Sequence, residues 1–342
     1  MIPDKQFLFI TGAARSGTTW LQTMVAAHPL VCSTIDELKL FDFFTGPWEK
    51  SWNLLVLGQK VAGGGPLGLT AVWTENEFYD FLKEFAGRVY AQILAMKPEA
   101  TVLLDKSPAY SHYVKHITRL IPEAKFIHMV RDGRDVAASL VAASRGWGRL
   151  WASKEIESAA AEWKSFVLAA QEARQYRGRY LEVRYEELLT NGVKVLQEVF
   201  EFIGVPIGRG SVTAIYEKHR FEKMKEAGTG ARQFALPEGF FRKGQTGDWR
   251  NLLLNPIQRY LFDEIAGDLL RDLGYCDESW WFDRPYQRFT VPLSVMLSSR
   301  GRMQMKRVHA IKRMLGPKWT ERVRTVRACM RRKKNIEIPA DG

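Results

Sequence analysis

Phe7-Leu8-Phe9-Ile10-Thr11-Gly12-Ala13-Ala14-Arg15-Ser16-Gly17-Thr18-Thr19-Trp20 is a short β-rich apolar run, a loop bounded by two glycines, and the opening of a helix. From Thr18 to His28 the apolar residues Leu21, Met24 and Val25 keep helical spacing, and Pro29 follows. Strand, glycine loop and helix in that order suit anion binding, because backbone N–H groups at a helix N-terminus can wrap a phosphate. A nucleoside-triphosphatase loop has Lys where this chain has Thr18, so GxxxxGK[ST] is broken and the cation sits at Arg15 inside the loop. Alone, the segment reads equally as a phosphate loop and as an ordinary glycine-bearing turn.

Outward from it, a loop-like stretch with Trp48, Trp52 and Gly63-Gly64-Gly65 leads to a capping box, Thr74-x-x-Glu77, that opens a helix with apolar positions Phe78, Phe81, Leu82, Phe85, Val89 and Ile93. Thr101–Leu104, Lys125–Val130 and Tyr180–Val183 read as buried strands separated by helical segments, which predicts an α/β fold: a P-loop-type parallel sheet flanked by helices. Leu261–Leu273 reads as the last core helix, and Trp280 and Trp281 as packing or a substrate wall.

The chain has 342 residues, 46% hydrophobic and 26% charged, so general disorder is excluded. Its net charge of +12 suggests anionic partners, yet the excess is local. Between Arg300 and Lys334 lie 14 Lys or Arg and one acid, Glu321, whereas residues 1–299 hold 36 bases against 35 acids. Met305, Val308, Ile311 and Leu315 form one helical stripe there, and Trp319, Val323, Val326 and Met330 form a second beyond Gly316-Pro317. This predicts a nearly neutral main domain over 1–290, the one that carries the chemistry-bearing segments, and a basic, helical C-terminal extension over 291–342. The extension over 300–334 either meets an anionic membrane or acceptor, or packs on the domain or on a second copy in a homodimer. Three cysteines without CxxC spacing suggest a reducing compartment, and no apolar run reaches membrane-spanning length, so a soluble, cytoplasmic protein, membrane-associated at most through its tail, is expected.

Two further segments carry chemistry. The strand Lys125–Val130 ends in Arg131-Asp132-Gly133-Arg134-Asp135, with Ser139 beyond, and a guanidinium directly at a strand end suits bidentate contact with phosphate. The competing reading is a surface turn with a salt-bridged Arg–Asp cluster. Phe240-Phe241-Arg242-Lys243-Gly244-Gln245-Thr246-Gly247-Asp248-Trp249-Arg250-Asn251 places two cations on a glycine loop beside an aromatic anchor.

With these three segments in this order, residues 7–275 resemble the sulfotransferases that use 3′-phosphoadenosine-5′-phosphosulfate (PAPS). The resemblance implies the sulfotransferase fold, PAPS as co-substrate without a metal, and transfer of a sulfuryl group to a hydroxyl-bearing acceptor rather than binding of nucleic acid. It implies that Arg15, Ser16, Gly17, Thr18 and Thr19 hold the 5′-phosphosulfate, with Trp20 near the adenine. Arg131, Ser139, Arg242, Lys243 and Gly244 would hold the 3′-phosphate. Tyr185 would contact the base, with Phe221 and Met224 on the adenine side or simply in the core.

Cytosolic small-molecule members have a His after the third strand, whereas here the segment is Asp105-Lys106-Ser107-Pro108. Carbohydrate and tyrosylprotein members instead use a Glu beyond the loop, which implies Glu37 as general base, with Asp36 as its competitor and solvated loop acids as the alternative for both. Burial beside the site is expected to raise the pKa of that base. Lys106 would offset charge on the oxygen that leaves. The Glu leans the acceptor toward a carbohydrate, with Trp48, Trp52, Trp147, Trp151 and Trp280 as wall candidates. Two other readings remain: a P-loop kinase or NTPase, which explains the first segment only, and a basic peripheral-membrane binding protein, which rests on the tail. His112 and His116 have metal-ligand spacing without the Glu of a metalloprotease and are expected on a surface helix.

Overall fold

The computed structural model describes residues 2–33, 36–61, 63–226, 240, 244–252 and 255–315. Arg242, Lys243 and the second apolar stripe of the tail lie outside the described residues. The chain divides into two compact units, one of Met1–Arg131 with Phe166–Thr246 and one of Asp132–Ser165 with Gly247–Gly342.

The first unit is built on five parallel strands, β1 (Gln6–Gly12), β2 (Val31–Ser33), β3 (Val102–Lys106), β4 (Lys125–Val130) and β5 (Tyr180–Arg184), in the order β2-β3-β1-β4-β5. Helices α1 (Thr18–Ala26), α2 (Gly46–Val61), α3 (Glu75–Leu94) and α4 (Val114–Leu120) connect its earlier strands. Successive β1 side chains serve opposite faces. Phe7 and Phe9 join a core with Leu82, Tyr90 and Ile117 from α3 and α4, while Leu8 and Ile10 join one with Leu21, Met24 and Val25 of α1. A sheet covered on both faces explains why its strands are apolar nearly throughout.

Helix α3 begins at the predicted capping box: the Glu77 amide donates to Thr74 Oγ1, and the Thr74 amide to the Glu77 carboxylate at 2.7 Å. The stretch around Trp48 and Trp52 is helix α2 rather than a loop. Trp52 is buried and stacks on Phe78 at 4.5 Å, so it is core and not an acceptor wall, and Trp48 packs at 5.1 Å from Phe85. An aromatic pair at i and i+4 packed on α3 drives that helix despite a glycine-rich exit.

The histidine pair divides: His112 is exposed, as expected of a surface position, whereas His116 is not. His116 is buried, its Nε2 2.9 Å from Thr45 Oγ1 and its Nδ1 2.8 Å from the Glu49 carboxylate, and His112 lies edge-on to Phe166 at 4.7 Å. Their polar and aromatic neighbours come from distant sequence, which spacing alone does not reveal.

Later elements are α5 (Gly133–Ser144), α6 (Ile156–Gln171), α7 (Tyr185–Thr190), α8 (Gly192–Ile203), α9 (Arg209–Lys218), α10 (Phe221–Glu226), α11 (Trp249–Leu252), α12 (Pro256–Asp272), α13 (Gln287–Leu297) and α14 (Ser299–Leu315). In the second unit, α12 buries Leu261, Phe262, Ile265 and Leu269, and fully buried Trp163 lies 6.2 Å from Phe262. Helix α12 is not the last core helix: α13 follows it and buries Val291 and Val295.

Asp105 on β3 is fully buried, accepts from the hydroxyls of Tyr90 (3.0 Å) and Tyr110 (3.1 Å), and leaves Oδ1 without a partner. Burial pushes its pKa up to about 7. The folded protein therefore keeps this carboxyl protonated over a range in which the unfolded chain has lost the proton, and stability falls as pH rises from about 4 to about 7. Asp105→Asn does not titrate, so its stability relative to wild type should improve by about 4 kcal/mol across that window, read from denaturant midpoints at pH 4 and pH 8.

Candidate active site

The strand order sets the carboxyl ends of β3, β1 and β4 side by side, the place where parallel sheets bind ligands. The register pairs Ile10 with Lys106 and Gly12 with Met129, so Lys106 and Arg131 flank the loop that follows β1.

In that loop Arg15 and Gly17 have positive φ, 72° and 94°, which curls the backbone into the start of α1. A Cβ on Gly17 would stand 2.6 Å from the ring of Tyr185. Gly17→Ala must displace either the loop or that ring, and is expected to weaken binding of adenosine 3′,5′-bisphosphate at least about tenfold by calorimetry. Ser16 is fully buried and its Oγ has no hydrogen-bond partner, which fits a loop shaped for an anion.

Within the first unit, Arg131 from the second segment and Phe240 and Gln245 from the third meet this loop. Arg131 Nη1 donates to the Arg15 carbonyl and Nη2 to the Gln245 carbonyl, each at 3.1 Å, while Arg15 Nη2 donates to the Phe240 carbonyl at 2.6 Å. The Arg131 guanidinium lies over the Tyr185 ring, 4.1 Å from its centre. Gly244 comes close enough that a Cβ there would meet Phe221 at 2.0 Å. Trp20 is edge-on to Tyr185 (5.7 Å) and Phe221 (6.2 Å), and its Nε1 donates to the His219 carbonyl at 2.7 Å. Thr18, Trp20 and Tyr185 are buried, and Met224 packs against the same cluster.

Glu37 lies apart from Asp36. Its carboxylate accepts from Lys106 Nζ (2.9 Å) and Ser107 Oγ (3.3 Å), and pairs with Lys39 Nζ at 2.5 Å. Asp36 is exposed and accepts from the Glu37 amide instead. Burial opposes ionisation of Glu37, but the ammoniums of Lys106 and Lys39 outweigh it, so its pKa lies below the ordinary carboxylate range rather than above it as burial alone predicts. Tyr110, bonded to Asp105, also accepts from the Leu40 amide at 3.1 Å and so ties down the segment after Glu37. That support was not legible as chemistry in the sequence, where Tyr110 is one aromatic among many.

In the second unit Asp132, Arg134 and Asp135 are buried, so the Arg–Asp cluster is no surface turn. Asp132 caps α5 and pairs with Arg134 at 2.7 Å, and Asp135 accepts from the amides of Gly247 and Trp249, both at 2.8 Å. Sequence reasoning assigns Asp135 no role, although a buried acid bonded to the Gly-Asp-Trp turn is what fixes that turn. Ser139 is buried on α5. A cavity of about 550 Å³ in this unit is lined by Arg134, Trp249, Arg259 and Trp280, among others. Trp281 is buried between Tyr260 and Phe282, and Trp147 and Trp151 pair with each other at 5.2 Å.

Residues 8–208 match the model of the sulfotransferase family. The chain belongs to that family. A putative protein-tyrosine sulfotransferase of Caenorhabditis briggsae is 26% identical over 200 residues, covering 58% of this chain and 65% of that protein. Nodulation protein NoeE of Sinorhizobium fredii is 26% identical over 295 residues, covering 78% and 65%. The chain thus spans less than two thirds of these relatives, and 50% of protein-tyrosine sulfotransferase A of Caenorhabditis elegans. Among solved structures, mouse sulfotransferase SULT7A1 complexed with PAP superposes with a TM-score of 0.53 at 19% identity, covering 82% of this chain and 90% of the mouse chain. At that identity the likeness concerns the fold, and it agrees with the parallel sheet flanked by helices. Membership of the sulfotransferase family speaks against the kinase or NTPase reading of the first segment.

Proposed function

We propose that this sulfotransferase moves a sulfuryl group from PAPS to an acceptor hydroxyl, with Glu37 as general base and Lys106 beside the leaving oxygen. The observation that carries this reading is the convergence of Arg15, Arg131 and the Gln245 backbone around a loop whose buried Ser16 hydroxyl has no protein partner. The acceptor oxygen attacks sulfur, its proton passes to the Glu37 carboxylate, and the bond between sulfur and the 5′-phosphate oxygen breaks to release adenosine 3′,5′-bisphosphate. In this reading the Lys106 ammonium, which pairs with Glu37, turns toward charge that develops on the departing phosphate and relaxes its hold on the base. Gly17, Thr18 and Thr19 would cradle the 5′-phosphosulfate through backbone amides at the start of α1.

A PAP complex of the mouse neighbour supports the same nucleotide here. A carbohydrate or carbohydrate-like acceptor is favoured by the Glu base. The protein-tyrosine sulfotransferases among the relatives favour a tyrosine hydroxyl as the second reading. Incubation with radiolabelled PAPS and a panel of glycans, glycolipids, phenols and tyrosine peptides tests both. Thermal stabilisation by Mg-ATP but not by adenosine 3′,5′-bisphosphate would refute the nucleotide assignment.

A further inference from the structure

Helix α13 has two apolar faces. Val291 and Val295 point into the second unit, while Phe289, Leu293, Met296 and Leu297 are 74, 55, 64 and 69% exposed. Their spacing, i, i+4, i+7 and i+8, makes one stripe along an eleven-residue helix, and half-exposed Tyr286 precedes it. Isolated apolar residues are common on protein surfaces, but a full helical stripe requires a partner.

The charge around the stripe identifies that partner. Residues 284–315 contain 8 Lys or Arg and no Asp or Glu. Arg288, Arg300, Lys306, Arg307 and Arg313 are exposed, while Lys312 pairs with Glu264 at 2.6 Å and Arg284 lies next to Asp283. A second copy docking through the same face would set these cations against their own kind. A nucleic acid would satisfy the cations and leave Phe289 and Leu293 in water. An anionic bilayer satisfies both, with headgroup phosphates for the cations and the acyl boundary for the stripe. At eleven residues α13 is too short to span, and no helix among the described residues is long and apolar enough to cross a membrane.

We propose that α13, flanked by the cations of α14, is a lipid-docking surface that lies in the interface of an anionic membrane. The inference does not rest on the identity of nucleotide or acceptor. Flotation of the full chain with phosphatidylcholine vesicles, with and without about one third phosphatidylglycerol, tests it. Wild type should float with the anionic vesicles only, and high salt should weaken that binding. Leu293→Ser/Met296→Ser should reduce it at least about tenfold, as should Lys306→Gln/Arg307→Gln. Phe289→Ser serves as a second stripe variant, so that misfolding of the first does not decide the result. Undiminished flotation of folded stripe variants would overturn the proposal in favour of charge alone. No flotation of wild type would overturn it too, and a dimer that the stripe variants abolish would then assign the face to a second copy.

Discussion

Glu37→Gln is expected to lower turnover by about a hundred- to ten-thousandfold while leaving the affinity for adenosine 3′,5′-bisphosphate within about twofold of wild type. The amide keeps the size of the side chain, its one oxygen can still accept from Lys106 and its NH2 can donate to Ser107 Oγ, so the loss separates proton acceptance from packing. The pH profile sharpens the test. In wild type, Lys106 and Lys39 hold the Glu37 pKa below the ordinary carboxylate value, so the acid limb of kcat/KM should fall below about pH 4.5. Lys106→Ala removes one of those two attractions while burial remains, so the limb should move to higher pH even as turnover drops through loss of leaving-group stabilisation. A base elsewhere in the site would leave turnover intact in Glu37→Gln, and a Glu37 with a merely structural role would give Lys106→Ala an unshifted limb.

What the sequence made legible follows physical range. Strand and loop periodicity from Phe7 to Trp20 is local, and so are the capping box at Thr74 and the stripe of α3, because each is a contest between neighbours in the chain. Helix α2 was missed because its stabilisation is tertiary: Trp52 stacks on Phe78, a residue of another helix. Strand β2 was missed because three residues, Val31–Ser33, carry too short a pattern and pair only with β3. The site residues were legible as types in order, not as an arrangement. Nothing local indicates that Arg131 reaches both Arg15 and Gln245, or that Glu37 is clamped by two lysines. The sign of the Glu37 shift failed for the same reason, since burial can be guessed from a motif while the count of nearby ammoniums cannot.

Arg131→Ala is expected to weaken adenosine 3′,5′-bisphosphate by roughly 1.5–3 kcal/mol, about ten- to a hundredfold, and to affect adenosine 5′-phosphate much less. The contrast between ligands matters because Arg131 also has structural work: its guanidinium bridges the Arg15 and Gln245 carbonyls and covers Tyr185. Loss of that bridge would loosen the loop for every nucleotide and weaken both ligands alike, whereas loss of a contact with the 3′-phosphate weakens only the bisphosphate. Arg131→Lys separates the two further. A single ammonium keeps the charge but cannot reach two carbonyls and a phosphate in one plane, so it should recover part of the bisphosphate affinity and little of the bridge. Calorimetric titration of both nucleotides against wild type and the two variants reads the difference directly. Equal losses for the two ligands would confine Arg131 to holding the loop, and the 3′-phosphate would then have to be held by other residues.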